Sequence, residues 1–216
     1  MALSKRRRVG NVLALAVLAV VQERPVHPYE MASVLRARGK DQDMPIKWGS
    51  LYTVVGNLEK HGLIEVAGSE RSGARPERTV YRITDAGREE LADWVRELIG
   101  TPEREQPRFE AGLSVLGVLP PAEATALLRA RRAVLQSQVD EQKAALAATA
   151  KDVPRLFLVE DEYDLAIRTA ELDWLDGLLA ELAACTLPGL DLWQSWHDTG
   201  EVPAELSELA DRGRNP

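Results

Sequence analysis

A single cysteine, Cys185, in 216 residues excludes an internal disulfide and any cysteine-rich zinc site. Histidine is nearly as scarce, and His27, His61 and His197 lie far apart with no metal-ligand spacing between them. Long hydrophobic runs are also missing. The apolar stretch from Val12 to Val21 falls short of the roughly 20 residues a membrane-spanning helix needs. It follows the basic run Lys5-Arg6-Arg7-Arg8, which is the order of a secretory signal, but Gln22-Glu23-Arg24-Pro25 stands where a small-residue cleavage site would be. A buried helix with a basic cap, in a cytoplasmic protein, is the expectation. No glycine-rich phosphate loop occurs, and Ser50 has neither a nucleophile-elbow context nor a base spaced to activate it. The acidic run Glu160-Asp161-Glu162-Asp164 would point its carboxylates in different directions along a helix, as a solvated face does. Neither catalysis nor a cofactor is expected.

What is present is an ordinary soluble composition, 45% hydrophobic and 28% charged, with an uneven charge distribution. Residues 1–82 hold 14 lysines and arginines against 8 acidic residues, a net of +6, while residues 83–216 hold 13 against 26, a net of −13. The basic third can meet phosphates, and the acidic remainder repels them.

The hydrophobic period divides the chain. Val9 to Val21 reads as a first helix, apolar nearly all round. Pro28 suits the first turn of a second, which runs to about Arg38 with Tyr29, Ala32 and Leu35 on one side and Gly39 as its stop. A polar loop from Lys40 to Pro45 leads to a third helix, from about Trp48 to His61, with Leu51, Val55 and Leu58 on its apolar face and Gly62 as its end. Two short strands, Leu63 to Val66 and Thr79 to Ile83, flank a Gly-, Ser- and Arg-rich tip and form a hairpin. Thr84 can cap a fourth helix to Ile99, whose expected face is Leu91, Val95 and Leu98. Three helices, a hairpin and a further helix make a winged helix-turn-helix. The fold class is therefore mainly α with a small β-hairpin, a winged domain over residues 1–100 followed by antiparallel dimerisation helices over 108–186 and a tail over 187–216.

Beyond a polar, proline-bearing linker at 101–107, Leu128, Arg131, Leu135, Val139, Gln142 and Leu146 recur at threes and fours in a long helix opened by Pro120-Pro121. A second, from about Pro154 to Ala184, carries Tyr163, Ile167, Trp174, Leu178 and Leu182 in one stripe. A small hairpin cannot bury both stripes, so pairing with a second copy is expected. The tail holds Trp193 and Trp196 and then a polar stretch that should fray.

In a helix-turn-helix the second helix of the pair enters the major groove. The outward residues expected of the third helix are Ser50, Thr53, Val54 and Asn57, with Lys47 and Lys60 at its ends and Tyr52 able to reach a phosphate. A merely solvated polar face would look the same. The wing adds Arg71, Arg75 and Arg78, suited to phosphate or minor-groove contact, against the alternative that Arg78 pairs with Glu77 or solvates a strand edge. Lys5 to Arg8 could lie along a duplex or be only a tail. Trp94, Trp174, Trp193 and Trp196 are candidates for an aromatic effector pocket, chiefly Trp94 and Trp174, although aromatics at helical spacing usually pack in cores. A winged helix used purely for protein–protein contact is the alternative function, but such domains usually lose the basic wing.

The segments His27-Pro28-Tyr29-Glu30-Met31, Gly49-Ser50-Leu51-Tyr52, Leu58-Glu59-Lys60-His61-Gly62-Leu63-Ile64 and Tyr81-Arg82-Ile83-Thr84-Asp85-Ala86-Gly87 together resemble the PadR family of transcriptional regulators over residues 9–99. The acidic remainder is similar to the helical C-terminal region of the longer members. The resemblance implies a homodimer on a palindromic operator, usually a repressor, often released from double-stranded DNA by a small aromatic molecule. Tyr29 completes the candidate DNA contacts beside Lys47, Ser50, Tyr52, Thr53, Asn57, Arg71, Arg75 and Arg78. This chain departs from the family in having Gly56 and Asn57 where basic residues are common, which shifts expected affinity toward the wing and the helix start. Pro28 also replaces a frequent glycine.

Overall fold

The computed structural model describes residues 9–40, 48–70, 78–103 and 107–205, and the chain divides into two units, Met1–Arg104 and Glu105–Pro216. In the first unit, helix α1 (Val12–Glu23) starts three residues later than its apolar pattern suggested, because the Asn11 side chain accepts a hydrogen bond from the Leu13 N–H at 2.9 Å and caps it there. Seven of its residues are buried, Leu13, Ala14, Ala16, Val17, Leu18, Val20 and Val21, so the helix is apolar nearly all round because it is surrounded. Helix α2 (Pro28–Ala37) opens with Pro28 behind His27, whose Nδ1 accepts from the Tyr29 N–H at 3.0 Å. Gly39, at φ +68°, follows its end.

Helix α3 (Leu51–Lys60) follows a 3₁₀ turn over Trp48–Ser50. Gly62, at φ +69°, reverses the chain into strand β1 (Ile64–Glu70). Strand β2 (Arg78–Ile83) pairs antiparallel with β1 in the register Ile64↔Ile83, Glu65↔Arg82 and Val66↔Tyr81, then slips by one residue to Gly68↔Val80. The bulge at that point lengthens β1 beyond its sequence pattern, since a slipped residue breaks the alternation by which strands are read. Val26, between α1 and α2, bridges Tyr81 with two backbone hydrogen bonds of 2.9 and 3.1 Å and so adds a single-residue bridge on the other edge of β2.

Helix α4 (Asp85–Gly100) is capped by Thr84, whose Oγ1 accepts from the Gly87 N–H at 3.0 Å and donates to the Gly62 carbonyl at 2.6 Å. One hydroxyl thereby ties the start of α4 to the end of α3. The face expected from Leu91, Val95 and Leu98 is turned: Gly87, Leu91 and Trp94 are buried, while Val95 and Leu98 are exposed. The close approach of Gly87 to the Leu63 backbone and the Ile83 side chain goes with that rotation. Ile64, Ile83, Leu91 and Trp94 complete a core with α1, α2 and α3.

In the second unit, helix α5 (Arg108–Leu113) and a 3₁₀ turn (Leu116–Val118) precede two long helices, α6 (Pro121–Thr149) and α7 (Val159–Ala184). Leu128, Leu135 and Val139 of α6 pack on Leu172, Leu175 and Leu182 of α7. Polar pairs flank the seam in antiparallel order: Arg132 with Asp176 at 2.7 Å, Arg131 with Glu171 at 2.5 Å, and Gln142 donating to Asp164 at 3.0 Å. The α7 stripe expected from Tyr163, Ile167, Trp174, Leu178 and Leu182 is split. Leu182 is buried, whereas Tyr163, Ile167 and Trp174 remain on the exposed side. Helix α8 (Leu190–Thr199) was not anticipated: Leu190 is buried, the Trp193 indole N–H donates to the Leu119 carbonyl at 2.8 Å, and His197 Nε2 lies 2.8 Å from the Gly117 carbonyl. The polar stretch beyond residue 205 lies outside the described residues.

Candidate nucleic-acid interface

A helix of 3.6 residues per turn puts Leu51, Val54, Val55 and Leu58 on one side of α3, and all four are buried. Val54 was expected to face outward but is only 4% exposed: it lies three residues from Leu51 and four from Leu58, squarely within their stripe. The opposite side carries Tyr52 (66% exposed), Thr53, Gly56, Asn57 and Lys60. Tyr52 and Thr53 stand one turn before Gly56 and Asn57, so the face is a continuous polar strip two residues wide. Ser50 is half-buried at the start of the helix and makes no side-chain cap there. Tyr29 is 66% exposed on α2. Lys47, Arg71 and Arg75, together with the arm Lys5 to Arg8, lie outside the described residues. Arg78 opens β2 opposite Glu70.

Electrostatics sort the basic residues of this unit. Arg24 pairs with Glu30 at 2.5 Å, Arg38 with Glu23 at 2.5 Å, Arg82 with Glu65 at 2.7 Å and Arg96 with Asp93 at 2.6 Å. These charges are spent within the protein. Arg36 lies over the Trp48 ring, 4.3 Å from its centroid, where it packs the approach to α3. Lys60, by contrast, forms no ion pair among the described residues, leaving its ammonium available at the end of the strip. The sequence places Lys60 at the end of the helix; that it has no ion pair among the described residues is visible only in three dimensions. Tyr81, on β2, donates to Glu59 Oε2 at 3.4 Å and so links hairpin to helix. Burial first, and then the Glu59 charge, raise the Tyr81 pKa, keeping the phenol protonated as the donor this bond requires.

In the second unit, a cavity of about 450 Å³ is lined by Phe109, Leu113, Arg108, Arg131, Glu171 and Trp174. The Phe109 and Trp174 rings meet edge to face at 6.1 Å, and the Arg131 guanidinium lies 3.8 Å from the Phe109 centroid. Trp174 is 48% exposed there. Trp94 has a different setting, only 6% exposed within the core of the first unit. Trp193 and Trp196 belong to α8, where Trp193 fastens the 3₁₀ turn.

Among the described residues, three helices, a hairpin bridged by Val26 and a capping helix define a winged helix-turn-helix, the fold class of many DNA-binding regulators. Residues 17–93 of the first unit match the transcriptional regulator PadR-like family. The chain as a whole is similar to Bacillus subtilis PadR solved in complex with operator DNA, at 19% identity and a TM-score of 0.66, over 80% of this chain and 99% of that one. The same protein in complex with p-coumaric acid matches at 20% identity with the same TM-score and coverage. The Vibrio cholerae virulence activator AphA matches at 22% identity and a TM-score of 0.58, over 80% of this chain and 99% of that one. No curated protein matches at a significant level. The PadR fold, winged helix followed by long helices, is therefore the fold of this chain. Among the described residues, no helix is long and apolar enough to cross a membrane.

Proposed function

We propose that this chain is a sequence-specific transcriptional repressor that binds a palindromic operator as a homodimer in the cytoplasm and leaves it when a small aromatic effector binds. The observation that carries the reading is the strip Tyr52, Thr53, Asn57 and Lys60, exposed along the whole of α3 opposite a fully buried side. Its hydroxyls and amide match base-edge and phosphate groups, and Lys60 supplies an uncommitted charge. The +6 balance of the first 82 residues adds attraction to the backbone, with Arg71 and Arg75 as wing contacts. The relative solved on operator DNA has the same fold.

Dimerisation is supported by the exposed apolar side chains Leu127 and Val134 on α6 and Tyr163, Ile167 and Trp174 on α7, which one copy leaves in water. The cavity beside Trp174 is the best place for an effector. Its aromatic walls suit a flat ring, and Arg108 a carboxylate or phenolate, Arg131 being paired with Glu171.

The test is binding of the purified chain to the DNA upstream of its own coding sequence, titrated with salt. Affinity falling by roughly a thousandfold between low and moderate salt indicates about six or more phosphate contacts. Preference over random competitor DNA, lost in Arg75→Glu, supports the regulator. Binding without preference, or none, favours the protein–protein interaction module instead. Adding p-coumaric acid to the complex and following both release and Trp174 fluorescence tests the effector.

A further inference from the structure

A glycine inside a helix is unfavourable, because it gives up more backbone freedom than any other residue and packs nothing in return. Gly56 sits in the middle of α3, a helix of only 10 residues. Nothing among the described residues calls for it. A Cβ built there would meet no atom within 4 Å, and its backbone is not among those with positive φ. Gly177 in α7 is equally open, so openness alone singles out neither. What distinguishes Gly56 is its neighbours. Tyr52, Gly56 and Lys60 form one row at four-residue spacing, and Thr53 and Asn57 form the row beside it. The glycine lies opposite the buried stripe of Leu51, Val54, Val55 and Leu58, at the crest of the exposed face. It opens a notch one residue wide between a phenol, an ammonium, a hydroxyl and an amide.

Resting on the DNA-binding reading above, we propose that Gly56 is the point of closest approach between α3 and DNA, its notch admitting the edge of a base pair to the helix backbone. Any side chain there would hold the duplex away at the crest and draw Thr53 and Asn57 out of hydrogen-bonding range of the bases. Gly56 is then a specificity-determining position. Its sequence reading, a site of weakened groove contact, predicts the opposite outcome, since filling a mere gap with alanine would leave binding unchanged or improve it.

Gly56→Ala separates the two. The probe is a duplex enriched from a random-sequence library by the wild-type chain, compared with an unselected duplex of equal length. Expected is a thermal midpoint raised by about 4 °C, from the helix propensity gained. Affinity for the enriched duplex falls tenfold or more, while affinity for the unselected duplex, held by phosphate contacts, stays within twofold. Wild-type affinity for the enriched duplex in Gly56→Ala overturns the proposal, and so does a lowered midpoint, which would reveal a structural need for the glycine. Failure of the wild-type chain to enrich any sequence strikes the DNA-binding reading itself, before the variant is examined.

Discussion

Gly87 lies against the backbone of Leu63 so closely that a Cβ on Gly87 would stand 2.0 Å from the Leu63 carbonyl oxygen. That oxygen also accepts from the Thr84 N–H at 3.1 Å, so it cannot move aside without loosening the start of α4. Gly87→Ala is expected to destabilise the first unit by about 3 kcal/mol, the upper range for overpacking, because rigid backbone blocks the added methyl. Chemical denaturation of the wild type and the variant measures it. A loss below the ordinary cost of a surface change would contradict the geometry.

The clamp of α8 gives a second expectation. Trp193→Phe retains the ring packing but removes the N–H that satisfies the Leu119 carbonyl. The second unit should lose about 1 kcal/mol, the typical worth of one such bond. The loss should appear in the unfolding transition of that unit. An unchanged transition would mean that water replaces the indole at no cost.

Acid should loosen the joint between α1 and α2. Hydrogen bonds from Arg38 hold the Glu23 carboxyl below its ordinary value, ahead of the opposing effect of desolvation. A lowered folded-state pKa means that the pair contributes fully above the ordinary glutamate value. The contribution is lost as pH falls through the lowered one. Both side chains are about half-exposed, so it stays under about 1 kcal/mol. Glu23→Gln should therefore lower the thermal midpoint slightly at neutral pH and not at all in strong acid. A constant difference across that range would contradict the assignment.

For the homodimer, Ile167→Asp places a charge in the exposed apolar side of α7 without entering the α6–α7 seam. Sedimentation of the wild type at micromolar concentration should give twice the chain mass, and the variant the single mass with its helical content kept. A monomeric wild type would remove dimerisation from the proposed function.

Much of the candidate site was legible because local rules determine it. The 3.6-residue period of Leu51, Val55 and Leu58 put Thr53 and Asn57 outside, and the turn chemistry of Gly62 and Thr84 marked where α3 ends and α4 begins. Val54 was misread for lack of a complete account of its own stripe, an error the sequence could have prevented. Other features had no local signal. Whether an arginine is spent on an internal pair, as Arg38 and Arg82 are, depends on partners 15 and 17 residues away.

The sequence by itself determined the order of elements in the first unit, the Thr84 cap, the charge split and the buried character of α1, since each follows from short-range periodicity, residue charge and backbone preference. Tertiary structure alone decided the rotation of α4, through the contact of Gly87 with Leu63. It also selected which apolar side of α7 faces α6, and it brought Val26 to Tyr81. A helix with apolar residues on two sides, or a single residue bridging a distant strand, has no preferred partner until the rest of the chain is packed around it.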